Sequence, residues 1–337
     1  MNRTNRSLTI LFLVSLLHAC GEEPTETAMT EAERSFDRLT PAFDELVPVD
    51  ATIEKLVGDF AFTEGPVWDQ RNNQLLFSDL RSNVVHSWSD IDGLGTVLPA
   101  VFEGETDHES VGSNGLTLDS QGRLLLLEHG NRVVSRLEVN GARTILAHSY
   151  ERNRLNSPND SDWHSSGWLY FTDPPYGLAG LEEDPRRELD FNGIYRLHPD
   201  TGEVQLLESS QSRPNGLTFS LDERTLYVAN SDANNKVWYA YDVSEEGALS
   251  NQRIFFDAND QEASGAADGM KIDVNGNLFA TGPGGVWVFD PEGNHLGTIK
   301  PPEVAANVAW GDDGSTLYMT ARTGLYRIRL STSGEIL

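Results

Sequence analysis

Six times the chain runs through the same short programme. A side chain bearing a carbonyl or carboxylate opens it, a short partly apolar strand follows, a polar turn reverses the chain, and a second apolar strand closes it. The openings are Glu64 of "EGPVWDQRNNQLLFSD", Asn114 of "NGLTLDSQGRLLLLEHG", Asn159 of "NDSDWHSSGWLYFTD", Asn215 of "NGLTFSLDERTLYVAN", Asp268 of "DGMKIDVNGNLFATG" and Asn307 of "NVAWGDDGSTLYMTA". Between them lie further hairpin candidates, such as "VVSRLEVNGARTILA" and "GVWVFDPEGNHLGTI", each with a Gly-containing polar turn. Two hairpins make four strands. Four strands recurring at intervals of roughly 40–55 residues mark the blade of a β-propeller. The expected fold is therefore all-β, a six-bladed propeller with four-stranded blades. The last unit has only "GLYRIRL" after its hairpin, so the N-terminal "TIEKLVGDF" is expected to supply its missing outer strand and close the ring. A pair of β-sandwiches would not explain six equivalent openings.

In a propeller the innermost strands line a central channel, so equivalent positions meet at one end of it. The six openings would then form a ring of oxygen-bearing side chains at one mouth. Asn and Asp also favour turns, because their side chains bond nearby backbone amides. Six in register, two of them acidic, argue for a shared task. Carboxylates and amide carbonyls converging on one point suit a hard divalent cation such as Ca2+, with other divalent cations open. One Cys and few His leave little for Zn2+ or Cu2+.

The rest of the chain divides simply. "MNRTNRS" carries two Arg, and "LTILFLVSLL" is an apolar run shorter than the roughly 20 residues of a membrane span. With "LHAC" after it, residues 1–20 have the layout of a secretory signal, and Cys20 stands where a bacterial lipoprotein carries its lipid. His18 departs from the usual residue there, and Gly21 after the Cys leans towards an outer membrane. The expected location is periplasmic or at the cell surface, anchored through Cys20 alone. Residues 21–50 are acidic and weakly periodic. They are expected to form a tether with a short helix near 29–38. Residues 51–337 would be the propeller. A formal charge of −27 argues against nucleic acid, which needs a basic footprint. A small-molecule ligand and a monomer are expected.

The stretches "EGPVW", "LNSPND", "YFTDPPYG", "PNGLTFSLDERTLYV" and "ADGMKID" resemble, in order, the motifs of the gluconolactonase/senescence-marker-protein (regucalcin-like) family, from about Ile53 onward. The resemblance implies a calcium-dependent propeller hydrolase acting on a lactone or other ester. Carried over motif by motif, Glu64, Asn159, Asn215 and Asp268 would hold the metal. Asp268 would act as catalytic acid and base, or as nucleophile, and Glu64 would neutralise charge. Asn114 and Asn307 would face the substrate, with His129 reaching the same mouth. Family enzymes acting on aldonolactones carry Arg two residues before the Asn of "ND"; here that place is Ser157. Asp173 and Tyr176 are candidates for shaping a loop over the site, with Asp173 structural. Two other readings share the fold. One is a phosphotriester or arylester hydrolase on the same residues. The other is a non-catalytic binding propeller on a membrane anchor.

Overall fold

The computed structural model describes Met1, residues 35–106 and residues 108–336. Six antiparallel sheets make six four-stranded blades, one of which carries a fifth strand at its outer edge. Their innermost strands are Thr63–Asp69, Ser113–Leu118, Ser161–Trp163, Pro214–Phe219, Met270–Ile272 and Ala305–Gly311, here numbered blades I to VI. The ring closes as the sequence suggests. Glu54–Val57 forms the outer strand of blade VI, pairing antiparallel with Gly324–Arg329 so that Glu54 faces Arg327 and Lys55 faces Tyr326. Blade VI is thus built from both ends of the propeller, which ties the circle shut.

Hydrophobic side chains do not gather at one centre. They form six clusters, one in each cleft between neighbouring blades. Trp68, Leu75 and Phe77 of blade I pack on Ala309, Tyr318 and Leu325 of blade VI; Phe171 and Tyr195 of blade III pack on Leu125 and Leu127 of blade II. The inner strand of blade I is buried along its whole length because a blade covers each of its faces, whereas outer Gly93–Leu98 alternates between half-buried and exposed. Burial contributes roughly 25 cal/mol per Å2 of apolar surface removed from water. That stabilisation lies between the blades and leaves the axis free for polar side chains.

Residues 35–50, expected to belong to the tether, are folded onto the propeller instead. Phe36–Arg38 adds a fifth strand to the outer edge of blade V, with Phe36 opposite Ile299. A one-and-a-half-turn helix follows at Pro41–Leu46; most of the helix expected near 29–38 lies outside the described residues. Thr40 caps it by accepting from Phe43 N, and Pro41 occupies the first turn, where its missing N–H costs nothing. Phe36, Phe43 and Val47 enter the cleft between blades V and VI, and Arg38 donates to the carbonyls of Val47 and Pro48. The signal segment and Cys20 lie outside the described residues. Among the described residues no helix is long and apolar enough to cross a membrane. Phe43 is fully buried, so Phe43→Ala should cost about 3–5 kcal/mol of unfolding free energy. Urea titration of the two proteins checks this; an unchanged midpoint would mean the segment is not part of the folded unit.

Candidate active site

The six openings owe their position to two backbone devices. The first is a bulge at the head of the inner strand. Register slips occur between Glu64 and Val67, Ser113 and Leu116, Pro214 and Leu217, and Ala305 and Asn307. A bulge bends the strand and re-aims a side chain. In blades III and V the openings lie just ahead of the strand, held by paired bonds: Asn159 N to Thr172 O (2.9 Å) with Thr172 N to Asp160 O (3.1 Å), and Asp268 N to Thr281 O (3.1 Å) with Thr281 N to Gly269 O (2.9 Å).

The second device is the residue after the opening, which is Gly in four blades. A Cβ on Gly65 would lie 2.1 Å from the Asn114 carbonyl oxygen, and one on Gly216 would lie 2.3 Å from that of Asp268. Gly115 is crowded in the same way by the Asn159 carbonyl oxygen, and Gly269 by the side-chain amide of Asn307. Each Gly therefore lets one inner strand touch the next, and Gly115 N donates directly to Asn159 O at 2.7 Å. The recurring Glu/Asn/Asp-Gly pair is the contact that draws the blades around the axis. Blades III and VI break the pattern: Asp160 and Val308 stand in the glycine's place.

The result is a crowd of carboxylates. Glu64 Oε2 accepts from Gly65 N (2.8 Å) and from Asn307 Nδ2 (3.3 Å), and the same Asn307 nitrogen donates to Asp160 Oδ2 at 3.3 Å. Burial pushes the Glu64 pKa up to about 7, with the Asp160 charge adding to it. Burial also raises Asp160, while Lys271 pulls it back. Asp268 is driven well above the usual carboxylate range, first by burial and then by the charges of Glu64 and Asp160. Two more charged groups, Asp162 and Lys271, lie in the wall farther along. There a cavity of about 330 Å3, also lined by Pro66, Thr117, Thr218 and Trp310, opens the other end of the channel. Glu64, Asn159, Asn215 and Asp268 are not in its wall.

The remaining expected residues are placed as follows. Asn114, Asn159 and Asn215 are all buried; Asn114 Oδ1 has no hydrogen-bond partner, and Asn215 Nδ2 donates to Ser231 Oγ at 3.1 Å. Asn307, expected to face the substrate, bridges Glu64 and Asp160. His129, expected at the mouth, is fully buried with neither ring nitrogen bonded. Its pKa is lowered to about 3 by burial, so it is neutral. It packs beneath the 174–178 segment, where Gly177 lies against His129 and Ser157. Asp173 is structural, accepting from Asn156 N and Ser157 N, both at 2.7 Å. Ser157 ties the loop: its hydroxyl donates to Pro174 O (2.5 Å) and accepts from Gly177 N (2.8 Å). Tyr176 then reaches from that loop to Ser231, 2.6 Å between hydroxyls. Sequence reasoning missed Asp160, Asp162, Lys271 and Ser231. "NDSD" did carry a signal, since two Asp spaced by two project from the same face of a strand.

A family model described as "SMP-30/Gluconolactonase/LRE-like region" matches residues 62–323. The chain belongs to this family. It is 37% identical to a gluconolactonase of Zymomonas mobilis, over 88% of this chain and 86% of that protein. A solved gluconolactonase from Xanthomonas campestris superposes with a TM-score of 0.76 at 31% identity, covering 88% of this chain and 95% of that one. A calcium-binding regucalcin from Agrobacterium tumefaciens shares the fold, with a TM-score of 0.68 at 19% identity, covering 85% of this chain and 96% of that one.

Among the described residues no three His, Cys, Asp or Glu side chains form a ligating cluster by themselves. The donors at the mouth are instead mixed, carboxylates with amide oxygens, and this set fits a hard cation. Glu64 and Asp268 repel one another across it, and Asn114 presents a buried carbonyl oxygen with nothing to accept from. A positive charge would relieve the first of these strains. Without one, the crowding should be visible in stability. The folded-state pKa of Glu64, about 7, lies above its ordinary 4.5, so folding favours the protonated form. That contribution is complete below about 4.5 and is lost as pH rises through 7. The melting temperature of the metal-stripped protein should therefore fall between about pH 5 and pH 8, and Glu64→Gln should flatten the slope. An identical slope in the variant would contradict the assignment.

Proposed function

We propose that this protein hydrolyses a lactone at the mouth formed by the six openings, with a divalent cation, Ca2+ foremost, held by Glu64, Asn159, Asn215 and Asp268. The observation that carries the reading is that buried Glu64 and Asp160, bridged by Asn307, stand at one mouth with half-buried Asp268, close enough for their charges to raise its pKa. The gluconolactonase relatives support the substrate class. A bound cation would supply Lewis acidity towards the lactone carbonyl and counter the charge of the oxyanion. The chain's own groups do the rest. Asp268, whose carboxylate accepts no hydrogen bond from a neighbouring side chain among the described residues, takes a proton from water as the water oxygen bonds to the carbonyl carbon. It returns the proton to the ring oxygen as the acyl C–O bond breaks, leaving a hydroxy acid. Glu64 balances charge. Asn114 Oδ1, buried and without a partner, offers an acceptor to a substrate hydroxyl. Ser157 stands where an aldonolactone-reading Arg would be, and its hydroxyl is committed to the 174–177 loop.

Hydrolysis of glucono-δ-lactone, followed by acid release, tests the proposal. Activity should vanish on stripping the metal and return with Ca2+, and Asp268→Asn should lower turnover by about 10²–10⁴-fold. Equal activity in the stripped protein, or an Asp268→Asn variant as fast as the native one, would overturn it. The leader supports a second element of the reading: export and anchoring through a lipid on Cys20. Cys20→Ala should move the protein from the membrane fraction to the soluble one; unchanged membrane association would remove the lipid anchor from the account.

A further inference from the structure

We infer that Ser231 and Tyr176 are positioning residues for Asn215, joined in a hydrogen-bond relay that turns the amide so that its oxygen faces the mouth. The inference rests on the proposed cation site. An asparagine side chain has two ends of nearly the same shape. One is an oxygen that can bind a cation, and the other is an NH2 that cannot. Nothing in the backbone decides which end faces inward.

Ser231 decides it. Its Oγ has three polar neighbours: the Tyr176 hydroxyl at 2.6 Å, Asn215 Nδ2 at 3.1 Å and the Arg213 carbonyl oxygen at 3.3 Å. A serine hydroxyl has one proton to give. The Arg213 carbonyl can only accept, so the proton goes there. Ser231 must then accept from both other neighbours. The end of Asn215 beside it is therefore the NH2, and the carbonyl oxygen points elsewhere, making no hydrogen bond among the described residues. Tyr176 completes the logic. Burial raises its phenol pKa and the nearby Asp268 charge adds to that, so the phenol stays protonated and donates to Ser231. The Asn215 backbone is pinned as well, its carbonyl accepting from Thr172 Oγ1 at 2.8 Å.

The relay also crosses between blades. Tyr176 belongs to the loop of blade III, fixed by Ser157 through Gly177 N and by His108 Nε2, which lies 2.9 Å from the Tyr176 carbonyl oxygen. Ser231 and Asn215 belong to blade IV. Outer partners of this kind orient the groups that touch a metal, and their loss typically lowers affinity 10–100-fold.

Calorimetric Ca2+ titration of the metal-stripped full chain tests the relay, with native protein, Tyr176→Phe, Ser231→Ala, Ser231→Thr, the Tyr176→Phe/Ser231→Ala double variant and Asn215→Ala compared. Ser231→Ala should weaken binding about 10–100-fold, with Ser231→Thr restoring most of it. Tyr176→Phe, which removes only one oxygen, should weaken binding in the same direction but less. The double variant should be no weaker than Ser231→Ala alone, because Tyr176 acts through Ser231. Unfolding midpoints of the stripped variants, taken alongside, should stay near native. Native-like affinity in Ser231→Ala and Tyr176→Phe, with binding lost in Asn215→Ala, would overturn the relay and leave the cation site standing. Native-like affinity in Asn215→Ala, or no Ca2+ uptake by the native chain, would overturn the cation site and the relay with it.

Discussion

Neighbouring inner strands touch backbone to backbone around the axis, and the rest of the molecule follows from that contact. It needs a residue without a side chain beside four of the six openings, which Gly65, Gly115, Gly216 and Gly269 provide. It brings the openings near enough for their charges to interact. It also leaves no space at the centre for an apolar core, so the hydrophobic side chains are divided among the six clefts between blades. A substitution as small as a methyl group at Gly65, Gly115 or Gly216 would press on the backbone carbonyl of the next blade, and at Gly269 on the Asn307 side chain.

The cost of that closeness falls on the carboxylates. Glu64 and Asp160 are buried beside half-buried Asp268, with Asn307 shared between the first two and Lys271 compensating from deeper in the channel. Their pKa values are raised first by burial and then, for Glu64 and Asp268, by neighbouring negative charge, so the metal-free mouth carries a cost of both desolvation and repulsion. The blade interfaces hold it in place. Asp160 sharpens the point. At the position where four other blades carry Gly, blade III places a further negative charge, and a site built only for close packing would have no use for it.

The architecture was readable because a blade is a short pattern repeated six times, and the strand Glu54–Val57 because the last unit visibly lacked a fourth. Residues 35–50 were misread because acidic composition masks their anchors: Phe36, Phe43 and Val47 are too few and too unevenly spaced to form a period. Asp160 and Asp162 were not singled out, although their spacing of two at the head of an inner strand puts both on one face. Asn307 was recognised as an opening but not as a bridge, since its partners Glu64 and Asp160 come from blades I and III. The contact between Tyr176 and Ser231 spans 55 positions and two blades, and no local pattern announces it. His129 looked accessible at the end of a strand; the loop that Ser157 ties down covers it.

The central claim is that the six openings form one cation-binding mouth. Crystals grown with Ca2+ and examined by anomalous diffraction test it most directly. The account predicts a cation in contact with the side-chain oxygens of Glu64, Asn159, Asn215 and Asp268, with the amide nitrogen of Asn215 still turned to Ser231. A mouth free of metal at saturating Ca2+, with Asn307 still bridging Glu64 and Asp160 and the cation bound elsewhere, would contradict it.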